Sequence, residues 1–220
     1  MRVVVNAAMS ADGKLSSKRR DQITISGPDD FDRVDALRAG SDAVMVGVGT
    51  VLADDPHLTL DDPERQTARR ERDEPAHPAR VVADSRARTP TDARILDDAA
   101  TTYVFVAESA PAERIEALEA AGARLVTAGE ERVDLASALP SLEREGVEQL
   151  MVEGGGELIF SLFEAGLADE LRVFVGSKLV GGRDAPTLAD GEGFVAEFPE
   201  LELDDVERVD DGVLLRYAVV

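Results

Sequence analysis

The chain has 220 residues, 44% of them hydrophobic, which is enough for one sizeable core or two very small ones and excludes disorder along the whole chain. It has no cysteine and two histidines, His57 and His77, which excludes disulfide scaffolds, cysteine-ligated metals and a thiolate nucleophile and predicts metal-free chemistry. With 45 acidic against 24 basic residues the net charge is −21, which disfavours nucleic acid as a partner and is typical of proteins from salt-loving organisms.

The first third of the chain predicts a strand, a helix and a second strand. The apolar run from Val3 predicts a buried strand, followed by a polar loop. A helix is expected from Pro28 to Gly40, because Ser26 offers a capping side chain and a proline suits the first turn. Residues 42–48 are continuously apolar, as in a strand that is covered on both faces.

The segment 61–78 is rich in Asp, Glu, Arg and Pro and has almost no large apolar residue, so it is predicted as a long exposed loop. Beyond it, strands and helices alternate. The predicted strands are 80–84, 102–107, 125–126, 149–152 and 171–175, and the predicted helices are 112–121, 135–145 and 156–165. In the second of these helices, Pro140 either makes a kink or sits in the first turn.

The last 30 residues alternate differently and predict a hairpin with a tight turn near Gly212. The expected fold is therefore α/β, a mostly parallel sheet flanked by helices and closed by an antiparallel C-terminal hairpin, within a single domain over 1–220. No apolar run approaches the roughly 20 residues that span a bilayer, so a soluble, cytoplasmic protein is expected.

Three glycines, Gly154 to Gly156, join a predicted strand to a predicted helix. Glycine lets backbone approach a ligand closely, and the N–H groups at a helix start bind anions, so a dinucleotide pyrophosphate fits. The alternative is a tight turn without a ligand. Because the spacing is not G-x-G-x-x-G and lies late in the chain, an ordinary Rossmann domain is disfavoured. Glu153, at the end of a buried strand, needs a cleft or a ligand to solvate its charge.

The segment that follows the predicted strand 42–48 also contains glycines, together with a hydroxyl group and carboxylates. Thr50 suits a phosphate or a ribose, and Asp54 suits a ribose hydroxyl or an amide. The alternative is ordinary turn chemistry around Pro56. Arg38, late in the first predicted helix, is either a surface side chain or a phosphate clamp.

Taken together, these segments resemble the reductase domain of riboflavin biosynthesis, whose fold is similar to that of dihydrofolate reductase. The matching stretches are NAAMSADGK (6–14), ISGP (25–28), LRAGSDA (37–43), VGVGTVLADDPHLT (46–59), RVVADS (80–85), RTP (88–90) and EGGG (153–156).

The resemblance implies an NADPH-dependent reduction in which the ribosylamino group of a pyrimidine 5′-phosphate becomes ribitylamino. By family position, the expected coenzyme contacts are Ala8, Thr50, Asp54, Ser85, Val126, Gly154, Gly155, Gly156 and Glu157. The expected substrate contacts are Asn6, Arg38, Leu58 and Glu153, with Arg38 directed at the phosphate. Asp54, Glu153 and Lys14 are candidates for a proton donor, and NADH remains an alternative coenzyme.

One position departs from the family pattern. Relatives usually have a basic residue three places after the equivalent of Leu58, whereas this chain has Asp61. Either Arg65 or another arginine of 61–78 replaces it, or Arg38 and helix N–H groups hold the phosphate alone.

Asn6 stands where the bacterial reductases tend to have lysine. A substrate that keeps its 2-amino group needs a hydrogen-bond acceptor, which an amide oxygen supplies and an ammonium group cannot. We therefore expect reduction before deamination, with 2,5-diamino-6-(ribosylamino)pyrimidinone 5′-phosphate as substrate. Alternatives are the deaminated uracil compound, a pterin, or a non-catalytic nucleotide-binding relative.

The family is typically dimeric, so a homodimer is expected. Phe160, Leu162 and Phe163 are candidates for its interface, or they belong to the core. One geometric expectation underlies the whole interpretation: the Gly154 turn and the Thr50 segment grip the same coenzyme.

Overall fold

The structure is a computed structural model that describes residues 1–21 and 23–220. The strands are β1 (Arg2–Ser10), β2 (Ala43–Gly47), β3 (Ala79–Ala83), β4 (Thr102–Val106), β5 (Arg124–Thr127), β6 (Gln149–Gly154), β7 (Glu170–Gly176), β8 (Leu201–Val209) and β9 (Gly212–Val219). The helices are α1 (Pro28–Ala39), α2 (Val48–Asp54), α3 (Pro63–Glu71), α4 (Ala112–Ala120), α5 (Leu135–Arg144) and α6 (Gly156–Glu164), with a 3₁₀ turn at Arg94–Leu96. Within the described ranges, no helix is long and apolar enough to cross a membrane.

The chain divides into two compact units. The first contains Met1 and Asp35–Leu150, and the second contains Arg2–Val34 and Met151–Val220. The boundary between them therefore falls within α1 and within β6 along the sequence. The expectation of one domain over 1–220 stays a prediction.

The first unit contains the parallel strands β5-β4-β3-β2, in that order. Val46 lies opposite Val82, and Val82 opposite Val104, and all three side chains are buried. Such β-branched runs suit a sheet that is covered on both faces, as the continuous apolar pattern predicts. Pro140 lies inside α5, which continues through it, so it is not a first-turn residue.

Two helices of the first unit were not predicted. The strand expected over 42–48 is shorter, because α2 begins at Val48. The prediction of an exposed loop over 61–78 is wrong over Pro63–Glu71, where Asp62 caps α3 by accepting from the Glu64 N–H at 2.8 Å.

Arg69 explains why composition misled the prediction of α3. Its side chain is only 3% exposed, although it is charged. The guanidinium donates to the carbonyl oxygens of Ala39, Ser41 and Pro75 at 2.8 to 2.9 Å. A segment without large apolar residues is thus anchored by hydrogen bonds, which hydropathy does not reveal.

The second unit contains the strands β6-β1-β7-β9-β8. β1 and β7 are parallel, whereas β7–β9 and β9–β8 are antiparallel. The predicted hairpin is confirmed, with its turn at Asp210 and Asp211. Phe174 and Leu214 anchor a core cluster beneath it. The expected class, a mostly parallel α/β fold with an antiparallel C-terminal hairpin, is confirmed.

Candidate active site

The turn from β2 into α2 carries two of the expected coenzyme residues. Thr50 is half-buried in the first turn of α2, and Asp54 is its last residue. The Asp54 side chain is exposed, yet the protein atoms packed around its carboxylate exclude enough water to raise its pKa. A Cβ atom at Gly49 would meet no heavy atom within 4 Å, so this glycine leaves room beside the turn.

Arg38 and the segment after Leu58 lie together in the first unit. An Nη atom of Arg38 donates to the carbonyl oxygen of Thr59 at 3.2 Å. Leu58 has a left-handed backbone (φ 53°), and its side chain is almost fully buried. A ligand at this position would therefore meet the backbone of Leu58 more than its side chain.

Asp61, the position that differs from the family pattern, is hydrogen-bonded to Asp35 of α1. The Asp35 carboxylate accepts from the Asp61 N–H at 2.7 Å and from Arg65 at 2.9 Å. The Nε of Arg65 also lies 3.7 Å from the carboxylate of Asp62. Because two carboxylates already oppose the charge of Arg65, a substrate phosphate would have to compete with them. The replacement of the missing basic residue by Arg65 stays a prediction.

Ser85 follows β3, at the carboxyl end of a parallel strand, where ligands bind in open α/β sheets. Its Oγ accepts from the Val133 N–H at 3.0 Å, which leaves the hydroxyl proton for a ligand. Arg86 and Arg88 are exposed in the same turn. Val126 is half-buried in β5.

Asp84 shapes this turn from inside. Its side chain is fully buried, and one carboxylate oxygen accepts from the N–H of Thr89 at 2.7 Å and from its hydroxyl at 2.8 Å. The other oxygen has no hydrogen-bond partner in the described part of the chain, and the Nε of Arg88 lies 3.9 Å away. The charge on this buried oxygen is therefore balanced by the nearby guanidinium of Arg88 rather than by a hydrogen bond.

The backbone requires two of the three glycines before α6. Gly154 has φ 107°, in the left-handed region, and a Cβ at Gly156 would lie 2.3 Å from the carbonyl oxygen of Thr187. Gly155 is the N-cap of α6, with an extended backbone (φ −74°), and Glu157 is exposed in its first turn. A tight turn without a ligand thus accounts for the glycines at 154 and 156. The backbone angle φ of Gly155 is one that any residue adopts, so it does not explain why position 155 is a glycine.

A fixed carboxylate lies at the start of α6. Asp190 donates its backbone N–H to the carbonyl oxygen of Gly156 at 3.1 Å, and its side chain accepts from the N–H of Thr187 at 3.1 Å. A Cβ at Gly156 would be 3.0 Å from a carboxylate oxygen of Asp190. A negative charge is favourable at this end of a helix, so Asp190 would compete with a phosphate placed there.

β1 carries two expected ligand residues on one face, Asn6 and Ala8, two positions apart. Asn6 is buried, and its Oδ1 accepts from an Nη atom of Arg33 at 2.9 Å. Ala8 packs against the hairpin core. Glu153 is half-buried near the end of β6.

The three proton-donor candidates have different surroundings. The ammonium group of Lys14 donates to the carbonyl oxygen of Ala185 at 3.2 Å. Lys14 and Glu153 belong to the second unit and Asp54 to the first. The raised pKa of Asp54 is the change that a proton donor requires.

The structure groups the expected residues within each unit. In the first unit, Thr50 and Asp54 share α2, and Arg38 contacts the segment after Leu58. In the second unit, Glu153 leads directly into the glycine turn. The expectation that the turns of both units grip one coenzyme stays a prediction.

Sequence reasoning missed Arg33 and the buried Asp30 that it pairs with. Their spacing of three residues within a predicted helix is the signal that was available. Phe160 and Leu162 are buried, so the core alternative is confirmed for these two side chains, whereas Phe163 is half-buried. Among the described residues, no cluster of three or more His, Asp or Glu side chains is arranged to hold a metal ion.

The family of this chain is identified by a match over nearly its whole length. Residues 1–215 match the RibD C-terminal domain. The chain belongs to the RibD C-terminal domain family. The resemblance to riboflavin-biosynthesis reductases that the motifs indicate is thereby confirmed.

Relatives of this RibD C-terminal domain cover nearly its whole length. A protein of Archaeoglobus fulgidus is 47% identical over 210 residues, which are 96% of this chain and 94% of that protein. One of Methanothermobacter thermautotrophicus is 44% identical over 219 residues, which are 99% and 97% of the two chains. Both are named 2,5-diamino-6-ribosylamino-4(3H)-pyrimidinone 5′-phosphate reductase.

The fold of this RibD C-terminal domain also matches solved structures. The crystal structure of a pyrimidine reductase-like protein from Corynebacterium diphtheriae superposes with a TM-score of 0.88. The match covers 100% of this chain and 92% of that one at 16% identity. At this identity the likeness establishes the fold alone.

Proposed function

We propose that this protein is an oxidoreductase of riboflavin biosynthesis that reduces the ribosylamino group of 2,5-diamino-6-ribosylamino-4(3H)-pyrimidinone 5′-phosphate to a ribitylamino group. The observation that carries the proposal is the 47% and 44% identity to two archaeal reductases of that name, over 96% of the chain or more. Asn6 agrees with it, because a carboxamide offers the acceptor that a 2-amino group needs.

The residues fit a dinucleotide coenzyme. The room beside Gly49 and the hydroxyl of Ser85 are the features that fit it. When bound, NADPH supplies the hydride for C1′ of the opened sugar. Arg38 binds and orients the substrate phosphate. We propose Asp54 as the proton donor, because it lies in α2 with Thr50, an expected coenzyme contact, and burial raises the pKa of its carboxyl group.

The test is a steady-state assay in concentrated KCl that follows the near-ultraviolet absorbance of NADPH. We expect turnover of the 2-amino pyrimidine phosphate, and at least tenfold slower turnover by Asp54→Asn, since general acid catalysis contributes about 10²-fold or more. Asp98→Asn, an exposed aspartate outside the site, is the matched control. Activity on the deaminated uracil compound alone would reverse the order of steps, and activity on a pterin alone would replace the substrate. Binding of NADPH without turnover would make the chain a nucleotide-binding relative.

NADPH rather than NADH is part of the proposal. Arg86 and Arg88 are exposed beside Ser85, and a 2′-phosphate needs such cations. We expect the double variant Arg86→Gln, Arg88→Gln to raise KM for NADPH about tenfold, because hydrogen bonds to charged groups are worth about 1.5 to 3 kcal/mol, and to leave KM for NADH unchanged. Arg70→Gln, at an exposed arginine of α3, is the control. Equal effects on both coenzymes would contradict the assignment.

The homodimer is also proposed, with a surface different from α6. Leu201, Leu203 and Val206 are 41%, 52% and 55% exposed on β8. They share one face, because the register shift after Leu203 pairs them with every second residue of β9. An exposed apolar patch of this kind is typical of a protein interface. Leu203→Glu is expected to give a monomer by light scattering and Val195→Glu, at an exposed loop residue, a dimer. A dimeric Leu203→Glu would contradict this surface.

A cytoplasmic enzyme that works at high salt completes the proposal. The excess negative charges, −21 in net, repel one another unless dissolved ions screen them. At 1 M salt the Debye length is about 3 Å, so this repulsion is largely screened. The chain uses 45 acidic residues to remain solvated under such conditions.

A further inference from the structure

A chain of polar side chains runs from Asn6 into the interior of the second unit. The Oδ1 of Asn6 accepts from an Nη atom of Arg33 at 2.9 Å. The Nε of Arg33 donates to Asp30 at 2.8 Å. The second oxygen of Asp30 accepts from the hydroxyl of Ser26.

Arg33 has little freedom to move. Asp30 is fully buried, so its charge requires the guanidinium as a partner. Asp30 itself is fixed, since its backbone N–H donates to Asp210 in the hairpin turn at 2.9 Å. Asp30 therefore holds the guanidinium through Nε and one Nη atom, and the other Nη atom donates to Asn6.

This arrangement fixes the orientation of the Asn6 carboxamide. A guanidinium group has only donors, so the neighbouring amide must turn its oxygen toward it. Rotating the amide by half a turn would place the donors of Asn6 against those of Arg33 and leave the buried amide and the half-buried guanidinium without this hydrogen bond. One lone pair of Oδ1 and the amide N–H groups are left for another partner. Nδ2 has no hydrogen-bond acceptor among residues 1–21 and 23–220.

We propose that Arg33 is a positioning residue that locks Asn6 in one orientation and so makes Asn6 select a 2-amino over a 2-oxo pyrimidine. This inference rests on the proposed function. In the 2-amino compound, ring nitrogen N1 accepts and the 2-amino group donates. After deamination, N1–H donates and the 2-oxo group accepts, so the same two atoms present the opposite pattern.

A carboxamide that is free to rotate serves both patterns, because it exchanges its donor and acceptor by half a turn. A locked carboxamide serves only one of them. The discrimination therefore comes from the hydrogen bond between Arg33 and Asn6, and Asn6 without that bond accepts either pyrimidine.

The test compares kcat/KM for the 2-amino and the 2-oxo pyrimidine phosphates. The double variant Asp30→Asn, Arg33→Met removes the donor without leaving the charge of Asp30 buried alone. We expect the ratio of the two kcat/KM values to fall about tenfold toward unity, because a mismatched hydrogen bond in a buried site has an effect of that order. Ser26→Ala keeps the bond to Asn6 and is the matched control, with an unchanged ratio.

Adding Asn6→Ala to the double variant should change the ratio no further, because the two substitutions remove one shared interaction. A purely structural role of Arg33 would lower both kcat/KM values together and leave their ratio unchanged, which would overturn the inference alone. A wild-type protein that neither binds nor reduces either compound would overturn both this inference and the proposed function. Tm values of all variants show whether each remains folded.

Discussion

Gly156→Ala tests the packing at the start of α6. The new Cβ would lie 2.3 Å from the carbonyl oxygen of Thr187, whereas real Cβ contacts stay above 3.0 Å, so the backbone must open by about 0.7 Å. Overpacking of this kind destabilises by about 1 to 3 kcal/mol. A loss of about 2 kcal/mol lowers Tm by about 4 to 8 °C in a chain of this size, measured by calorimetry in concentrated KCl.

Gly49→Ala is the matched control, because it adds the same methyl group to another helix start with no heavy atom within 4 Å. Alanine is a better helix former than glycine, so we expect stabilisation by about 0.5 to 1 kcal/mol. If Gly49 leaves room for the coenzyme, the same variant binds NADPH more weakly. An unchanged Tm for Gly156→Ala, or equal losses in both variants, would refute the packing argument.

Three further outcomes are expected. Tm of the wild type rises steeply with KCl, because screening removes the self-repulsion of 21 net negative charges, and a flat curve would contradict this. Asp35→Asn lowers Tm by several degrees, since the Asp61 N–H and Arg65 donate to different carboxylate oxygens and the amide NH₂ would face one of these donors; scanning calorimetry measures this, and a wild-type Tm would contradict it. Burial and nearby arginine charges lower the pKa of His77, whose Nδ1 accepts from the Leu60 N–H at 3.1 Å. Its folded pKa lies below the unfolded value, so stability falls as the pH drops below about 6.5, and His77→Gln flattens that part of a Tm–pH curve.

Regular patterns in the sequence were sufficient for most of the fold. β-Branched runs predicted β2 and β3, and a capping side chain followed by a first-turn proline predicted α1. The pattern failed at α2, since a seven-residue helix that starts directly at the end of a strand continues the same apolar run. It failed again at α3, where the buried group is the guanidinium of Arg69. Periodicity records apolar burial, and neither helix depends on that alone.

The candidate site was predictable where a residue lies at the end of a strand. Glu153 and Ser85 follow that rule, and the structure places both at such positions. The contacts of Asn6 with Arg33, and of Asp190 with the glycine turn, join residues far apart in sequence. Such pairs carry no local pattern, so they become visible only when the backbone is folded.

The attachment of α3 through Arg69 has a consequence for temperature. Apolar contacts weaken on cooling, because the hydrophobic effect is driven by entropy near room temperature. The bonds from Arg69 to three carbonyl oxygens do not depend on the burial of apolar surface. We therefore expect cooling to weaken the attachment of this segment less than that of elements held by apolar packing alone.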